Sequence, residues 1–174
     1  MILFLVGYAG SGKSSLGRRL ARCLGVDLVD TDKRVEEIEG ATVADIFHYE
    51  GEEYFRRAER EALESIVQSG RDMVVATGGG LPTWGDNMSR LNECGTTIYL
   101  RRSPEQILSR LSEYGRQKRP MFRGKSDEEL LRFMYEQIAL REPYYAAAKM
   151  TIDCTTMCDD DVVTSIINEI RRSI

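Results

Sequence analysis

Six residues, MILFLV, run directly into GYAGSGKSS at positions 7–15. This junction restricts the fold of the chain more than any other feature. Gly7 to Ser14 has the form G-x-x-x-x-G-K-S, placed after a strand-like run and before a helix-like one, as a phosphate-binding loop requires. Its glycines let backbone N–H groups turn inward around phosphate oxygens, and the start of the following helix adds its positive dipole end. Lys13 can then reach the β- and γ-phosphates, and the Ser14 hydroxyl can ligate Mg²⁺. The loop implies a bound nucleoside triphosphate. It does not say what receives the phosphate.

The rest of the chain alternates strand and helix patterns. Residues 1–6, 26–30, 73–77, 96–100 and 150–153 read as strands. Between them, Leu16, Leu20 and Leu24 mark a helix over 13–24 that Gly25 stops. Thr42 with Asp45 opens a short helix, 52–69 forms a longer one, and Ser103-Pro104 starts another. Ser126 with Glu129 opens a helix expected to run to about Arg141, where Pro143 ends or kinks it. A closing helix covers 160–172. Short apolar strands alternating with helices predict an α/β fold with a parallel sheet covered on both faces. Ligands in such sheets sit beyond the carboxyl ends of the strands. The loop after strand one, Asp30-Thr31-Asp32 after strand two and Gly78-Gly79-Gly80 after strand three all fall there.

Composition narrows the function classes. With 174 residues, 42% hydrophobic and 30% charged, the chain is expected to be one globular domain over 1–174. A net charge of −4 argues against a nucleic-acid partner. Cys23, Cys94, Cys154 and Cys158 contain no C-x-x-C pair and read as free thiols in a reducing compartment. His48 is the only histidine, which excludes multi-histidine metal sites. No apolar run is long enough to span a bilayer, and the N-terminus lacks signal-peptide features. A cytoplasmic, monomeric protein with small-molecule partners and no membrane is therefore expected.

Asp30 and Asp32 admit two readings. If the strand continues, they point the same way, one toward a metal through water and the other toward an attacking hydroxyl. Alternatively, Asp-Thr-Asp is a turn and a helix N-cap. Three consecutive glycines at 78–80 let a ligand approach the backbone closely and offer N–H donors. The segment 110–126 holds Arg110, Arg116, Lys118, Arg119, Arg123 and Lys125, and reads as a mobile basic lid over about 112–125. Closing it would bring positive charge to the transferred phosphoryl group.

Together GYAGSGKSS, DTD (30–32), IFHYEGEEYFRRAE (46–59), ATGGG (76–80), RP (119–120) and REPYY (141–145) resemble the shikimate kinase family in order and spacing. The resemblance implies a three-layer α-β-α fold with a five-stranded parallel sheet in the order 2-3-1-4-5. It implies Mg²⁺-dependent transfer of the ATP γ-phosphoryl group to the 3-hydroxyl of shikimate, an early aromatic amino-acid step. By the same resemblance Gly10, Ser11, Gly12, Lys13, Ser14 and Ser15 would hold the phosphates. Ser14 would bind Mg²⁺ directly and Asp30 through water. Asp32 would contact the ring hydroxyls and orient or deprotonate the attacking one. Arg56 and Arg141 would clamp the substrate carboxylate, supported by Glu59, with Gly78, Gly79 and Gly80 lining the ring. Arg119 would reach the phosphoryl group and Arg110 would stack near adenine, while helices over about 33–69 would carry the acceptor. Lys13, Asp32 and Arg119 would be the catalytic set. A gluconate kinase-like enzyme would want a histidine shortly after its aspartate motif, where Lys33-Arg34 stands. A catalytically silent nucleotide-binding module would have lost Lys13, Asp32, Arg56, Arg119 or Arg141, and all five are present.

Overall fold

In the computed structural model, which describes residues 1–172, five parallel strands form one sheet. They are β1 (Ile2–Val6), β2 (Asp27–Asp30), β3 (Met73–Ala76), β4 (Thr96–Arg101) and β5 (Met150–Asp153). Their order is β2-β3-β1-β4-β5, as expected. Phe4 aligns with Val75 of β3 on one side and Thr97 of β4 on the other. All residues of β1 and β3 are buried, which explains why they read as apolar runs without alternation.

Helices cover both faces. On one, Leu16 and Leu20 of α1 (Lys13–Leu24) and Val162, Ile166 and Ile170 of α9 (Asp159–Arg172) pack on Leu3, Leu5, Val74, Ile98 and Leu100. The opposite face, with Phe4, Val6, Val75 and Tyr99, is covered from four helices. Leu63 and Ile66 come from α4 (Gly51–Gln68), and Met88 and Leu91 from α5 (Asn87–Cys94). Ile107 comes from α6 (Pro104–Arg110), and Leu130, Met134 and Tyr145 from α8 (Asp127–Tyr145). A third cluster joins α2 (Thr31–Glu39), α3 (Val43–Tyr49) and the first half of α4 through Val35, Ile46, Phe55, Ala58 and Ala62. Helix α4 therefore belongs to two clusters, and it ties the 33–69 segment to the sheet.

One local expectation is corrected. Pro143 neither ends nor visibly breaks α8, which continues to Tyr145. The carbonyl that proline leaves without a partner belongs to exposed Ala139, where water can satisfy it. The last turn is fixed from outside, since Tyr145 is fully buried and its hydroxyl donates to the Gly79 carbonyl at 2.6 Å. The expected lid contains regular structure, a short helix α7 (Glu113–Gln117) and a 3-10 turn over Pro120–Phe122. No helix among the described residues is long and apolar enough to cross a membrane.

Candidate active site

The chain reverses its direction of travel across the sheet at β1, with β3 on one side and β4 on the other. A crevice opens at such a switch point. Here a cavity of about 460 Å³ lies between the loop after β1, the ends of β2 and β3, and the segment after α6. Its wall includes Gly10, Gly12, Lys13, Ser14, Ser15, Asp30, Asp32, Gly78, Gly79, Arg110 and Arg119. Most residues singled out from the sequence thus converge on one space. Ser11 is buried behind the wall, and Arg56, Gly80 and Arg141 lie off it.

The first loop owes its shape to backbone conformation. Gly7, Gly10 and Gly12 have φ of 146°, 82° and 96°, where a side chain would be strained. Gly10 also has no room for one, since a Cβ would lie 2.9 Å from Ile107 Cγ2. Lys13 closes the loop on itself, its Nζ donating to the carbonyls of Gly7 at 2.7 Å and Tyr8 at 2.9 Å. Burial pulls its pKa down to about 8, while the charge of Asp32 acts in the opposite direction.

Asp30 follows the second reading made of it, as a helix N-cap, and it also reaches Ser14. Its Oδ1 accepts from the N–H groups of Asp32 at 3.1 Å and Lys33 at 3.4 Å, which caps α2. Its Oδ2 accepts from the Ser14 hydroxyl at 2.9 Å. Strand β2 therefore ends at Asp30, and Asp32 reaches the cavity from the first helical turn rather than by continued strand alternation. Burial pushes the Asp32 carboxyl up to about 6, with Asp30 adding to the rise and Lys13 opposing it. Ser14 and Asp30 present two adjacent hard oxygens at the cavity wall. That donor set suits Mg²⁺, which is commonly held by one or two protein oxygens plus phosphates.

The Gly78–Gly80 stretch is also small for a reason that the sequence does not show. None of the three has positive φ. Each instead leaves space for another part of the protein. A Cβ on Gly78 would lie 2.5 Å from Asp32 Oδ1 and 2.8 Å from Glu59 Oε1, and one on Gly80 would lie 2.5 Å from both terminal nitrogens of Arg56. The Gly78 N–H is already used, donating to the hydroxyl of buried Thr31 at 2.8 Å. Behind these glycines Arg56 Nη1 donates to Glu59, which is 1% exposed. Burial pushes Glu59 up to about 7 although Arg56 pulls it down. Arg57, next in sequence, is solvent-facing, so the helix separates the two arginines cleanly.

Arg141 stacks over the Tyr8 ring at 5.5 Å and acts on Tyr145, which also feels the charge of Arg56. In the 112–125 segment Arg119 donates to the Gly115 carbonyl at 2.8 Å, 6.0 Å above the Phe122 ring, and burial lowers its pKa. Arg110 pairs with Asp159 at 3.0 Å.

Comparison with known proteins decides the family. The family model for shikimate kinase matches residues 9–171. A shikimate kinase of Parabacteroides distasonis is 38% identical over 170 residues, covering 98% of this chain and 97% of that one. The chain belongs to the shikimate kinase family. The crystal structure of the shikimate kinase from Bacteroides thetaiotaomicron superimposes with a TM-score of 0.90 at 32% identity over 98% of each chain. The shikimate kinase from Acinetobacter baumannii, solved in complex with shikimate, gives 0.85 at 33% identity, over 99% of this chain and 93% of that one.

Within this shikimate kinase fold, two residues of the site carried no assigned role in the sequence reading. Thr31 was visible only as the middle of DTD, yet its buried hydroxyl ties the β2–α2 junction to the loop after β3. Arg102 is buried beside the first loop, and its parity with Ile98 and Leu100, both on the α1–α9 side, was the available signal.

Proposed function

We propose that this chain transfers the γ-phosphoryl group of ATP to the 3-hydroxyl of shikimate, with Mg²⁺, in the cavity at the ends of β1, β2 and β3. The observation that carries the reading is Asp32 and Lys13 lining one cavity, with glycines on one wall and Arg119 on another. Phosphoryl transfer needs positioned charge more than covalent chemistry.

The geometry around Lys13, Ser14, Asp30, Asp32 and Arg119 supports the following roles. Lys13 is already cationic below about pH 8, and it exchanges its two loop carbonyls for phosphate oxygens. Ser14 would hold Mg²⁺ directly and Asp30 through water, and the ion would neutralise phosphate charge there. Asp32 is ionised at neutral pH with a pKa near 6, so it can accept the proton of the attacking hydroxyl without being too weak a base. Arg56 and Arg141 bind the acceptor carboxylate, a planar group that matches the guanidinium fork. Glu59 holds Arg56 in place from below. Arg119 leaves the Gly115 carbonyl and meets the transferred group as the lid closes. The chain works as a cytoplasmic monomer, with helices over about 33–69 carrying the acceptor.

The test is ADP release from Mg-ATP by the purified protein, with shikimate, with gluconate and with a nucleoside monophosphate. Shikimate alone stimulates strongly. Equal rates with and without shikimate, in protein that still binds ATP, would sink the reading.

A further inference from the structure

Arg102 follows the end of β4 and is the one buried arginine among the described residues, with its side chain 3% exposed. Its neighbour Arg101 faces solvent and pairs with Asp153. The reaction outlined above gives Arg102 no task. Its guanidinium nevertheless reaches three separate segments. Nε donates to the Ser11 carbonyl in the phosphate loop at 2.9 Å. Nη1 donates to the Cys154 carbonyl just beyond β5 at 3.4 Å. Nη2 meets Asp159, the first residue of α9, at 3.3 Å. Asp159 also takes Arg110 from the end of α6. One half-buried carboxylate and one buried guanidinium thus join the phosphate loop, the 154–158 loop and the arginine that lines the cavity.

The contact to Ser11 has a directional consequence. In a trans peptide, the carbonyl of one residue and the N–H of the next point in opposite directions. Drawing the Ser11 carbonyl out toward Arg102 turns the Gly12 N–H the other way. Gly12 lines the cavity. Phosphate loops bind with the N–H groups that face inward, so the orientation of this one peptide sets a donor. Apolar side chains of similar volume could fill the space of a buried ion pair at no loss of stability. They could not hold a carbonyl.

We propose that Arg102 and Asp159 form a positioning pair of the nucleotide site. Arg102 fixes the Ser11–Gly12 peptide with its N–H toward the phosphates, and Asp159 holds Arg110 and the 154–158 loop in register with it. The inference rests on the cavity being the nucleotide site of the proposed reaction.

Calorimetric titration with ADP and, separately, with shikimate tests the pair in the full chain, beside steady-state kinetics. Arg102→Met is expected to weaken ADP binding about tenfold or more, the scale of a lost charge-assisted hydrogen bond, with shikimate binding within about twofold. KM for ATP rises while kcat changes less. Arg102→Lys keeps the charge beside Asp159 but not the three-way fork, and recovers part of the affinity. Asp159→Asn weakens ADP binding in the same direction. Unchanged ADP affinity in an Arg102→Met protein that melts cooperatively overturns the proposal, as does an equal loss of ADP and shikimate affinity. Should Arg102→Met fail to fold, unchanged ADP affinity in both Arg102→Lys and Asp159→Asn overturns it. Failure of the unmodified protein to bind ADP would instead overturn the nucleotide reading itself.

Discussion

The phosphate loop is made of main chain, whereas the wall facing it is made of charged side chains. On the loop side, conformation at Gly7, Gly10 and Gly12 and two carbonyl contacts from Lys13 set the shape before any ligand arrives. On the other side, Asp32 and Glu59 crowd against Gly78 and Arg56 against Gly80, where the missing side chains make room for them. The charge of Asp32 adds to the rise of the Glu59 carboxyl, and Arg56 opposes the rise of both carboxyls. A backbone site depends on φ and ψ, and Lys13, with its pKa pulled down to about 8, is what ties it to pH. A site of buried charges is specific because each charge needs its partner, and it is sensitive to pH for the same reason.

The largest effect that can break this contrast is at Asp32. Asp32→Asn should lower kcat by about 10²- to 10⁴-fold, the usual worth of a general base, while ATP and shikimate affinities move far less. Full turnover in this variant would remove Asp32 from the chemistry. Next come the two arginines. Arg56→Lys or Arg141→Lys should raise KM for shikimate about 10- to 100-fold, because lysine keeps the charge but loses the fork. A matching rise in KM for ATP would show that the two halves are not separate.

Gly80→Ala sharpens the comparison without touching a charge. Its φ of −89° suits alanine, so only the Cβ, 2.5 Å from the Arg56 nitrogens, can matter. Displacing that fork should raise KM for shikimate about tenfold and leave KM for ATP alone. Unchanged shikimate kinetics would mean that Arg56 yields freely.

The smallest effect is on stability. Asp32 and Glu59 rise from ordinary values of 3.8 and 4.5 to about 6 and 7 in the folded protein. Between about pH 4 and 7 the folded state keeps protons that the unfolded state has lost. Their contribution is therefore complete below pH 4 and disappears as the pH rises through 6 to 7. Thermal unfolding of the unliganded protein should show that decline, and Glu59→Gln should flatten it. A melting temperature that does not change over this range would mean that the carboxyls are not held as described.

The two halves also differ in how far the sequence reveals them. The loop at 7–15 is a local object, so its spacing and its strand–helix setting are legible at once. The sheet order came with the family resemblance and matches the observed β2-β3-β1-β4-β5. Asp32 was placed at the cavity by a strand argument, although a helix cap at Asp30 is what brings it there. Glycines at 78–80 look alike in sequence but answer to three different neighbours, Asp32 with Glu59, the Ala9 backbone, and Arg56. No local pattern encodes a vacancy that a distant side chain fills. Pro143 misled for the same reason, since the buried Tyr145 beyond it holds the helix together. Arg102 went unassigned because its partners lie 91, 52 and 57 residues away.

The lid differs from both halves in being nearly self-contained. Arg119 bonds the carbonyl of Gly115, Arg123 that of Gln117 and Lys125 that of Met121, all within six residues. Its chief anchor in the core is Phe122, 1% exposed and 6.3 Å from the Tyr8 ring. A segment wired this way can be lengthened, shortened or exchanged as a cassette while the sheet and both binding walls stay intact. Variation can therefore accumulate over 112–125 with little cost to folding, and grafts of this segment between relatives offer a direct way to ask whether it gates the site.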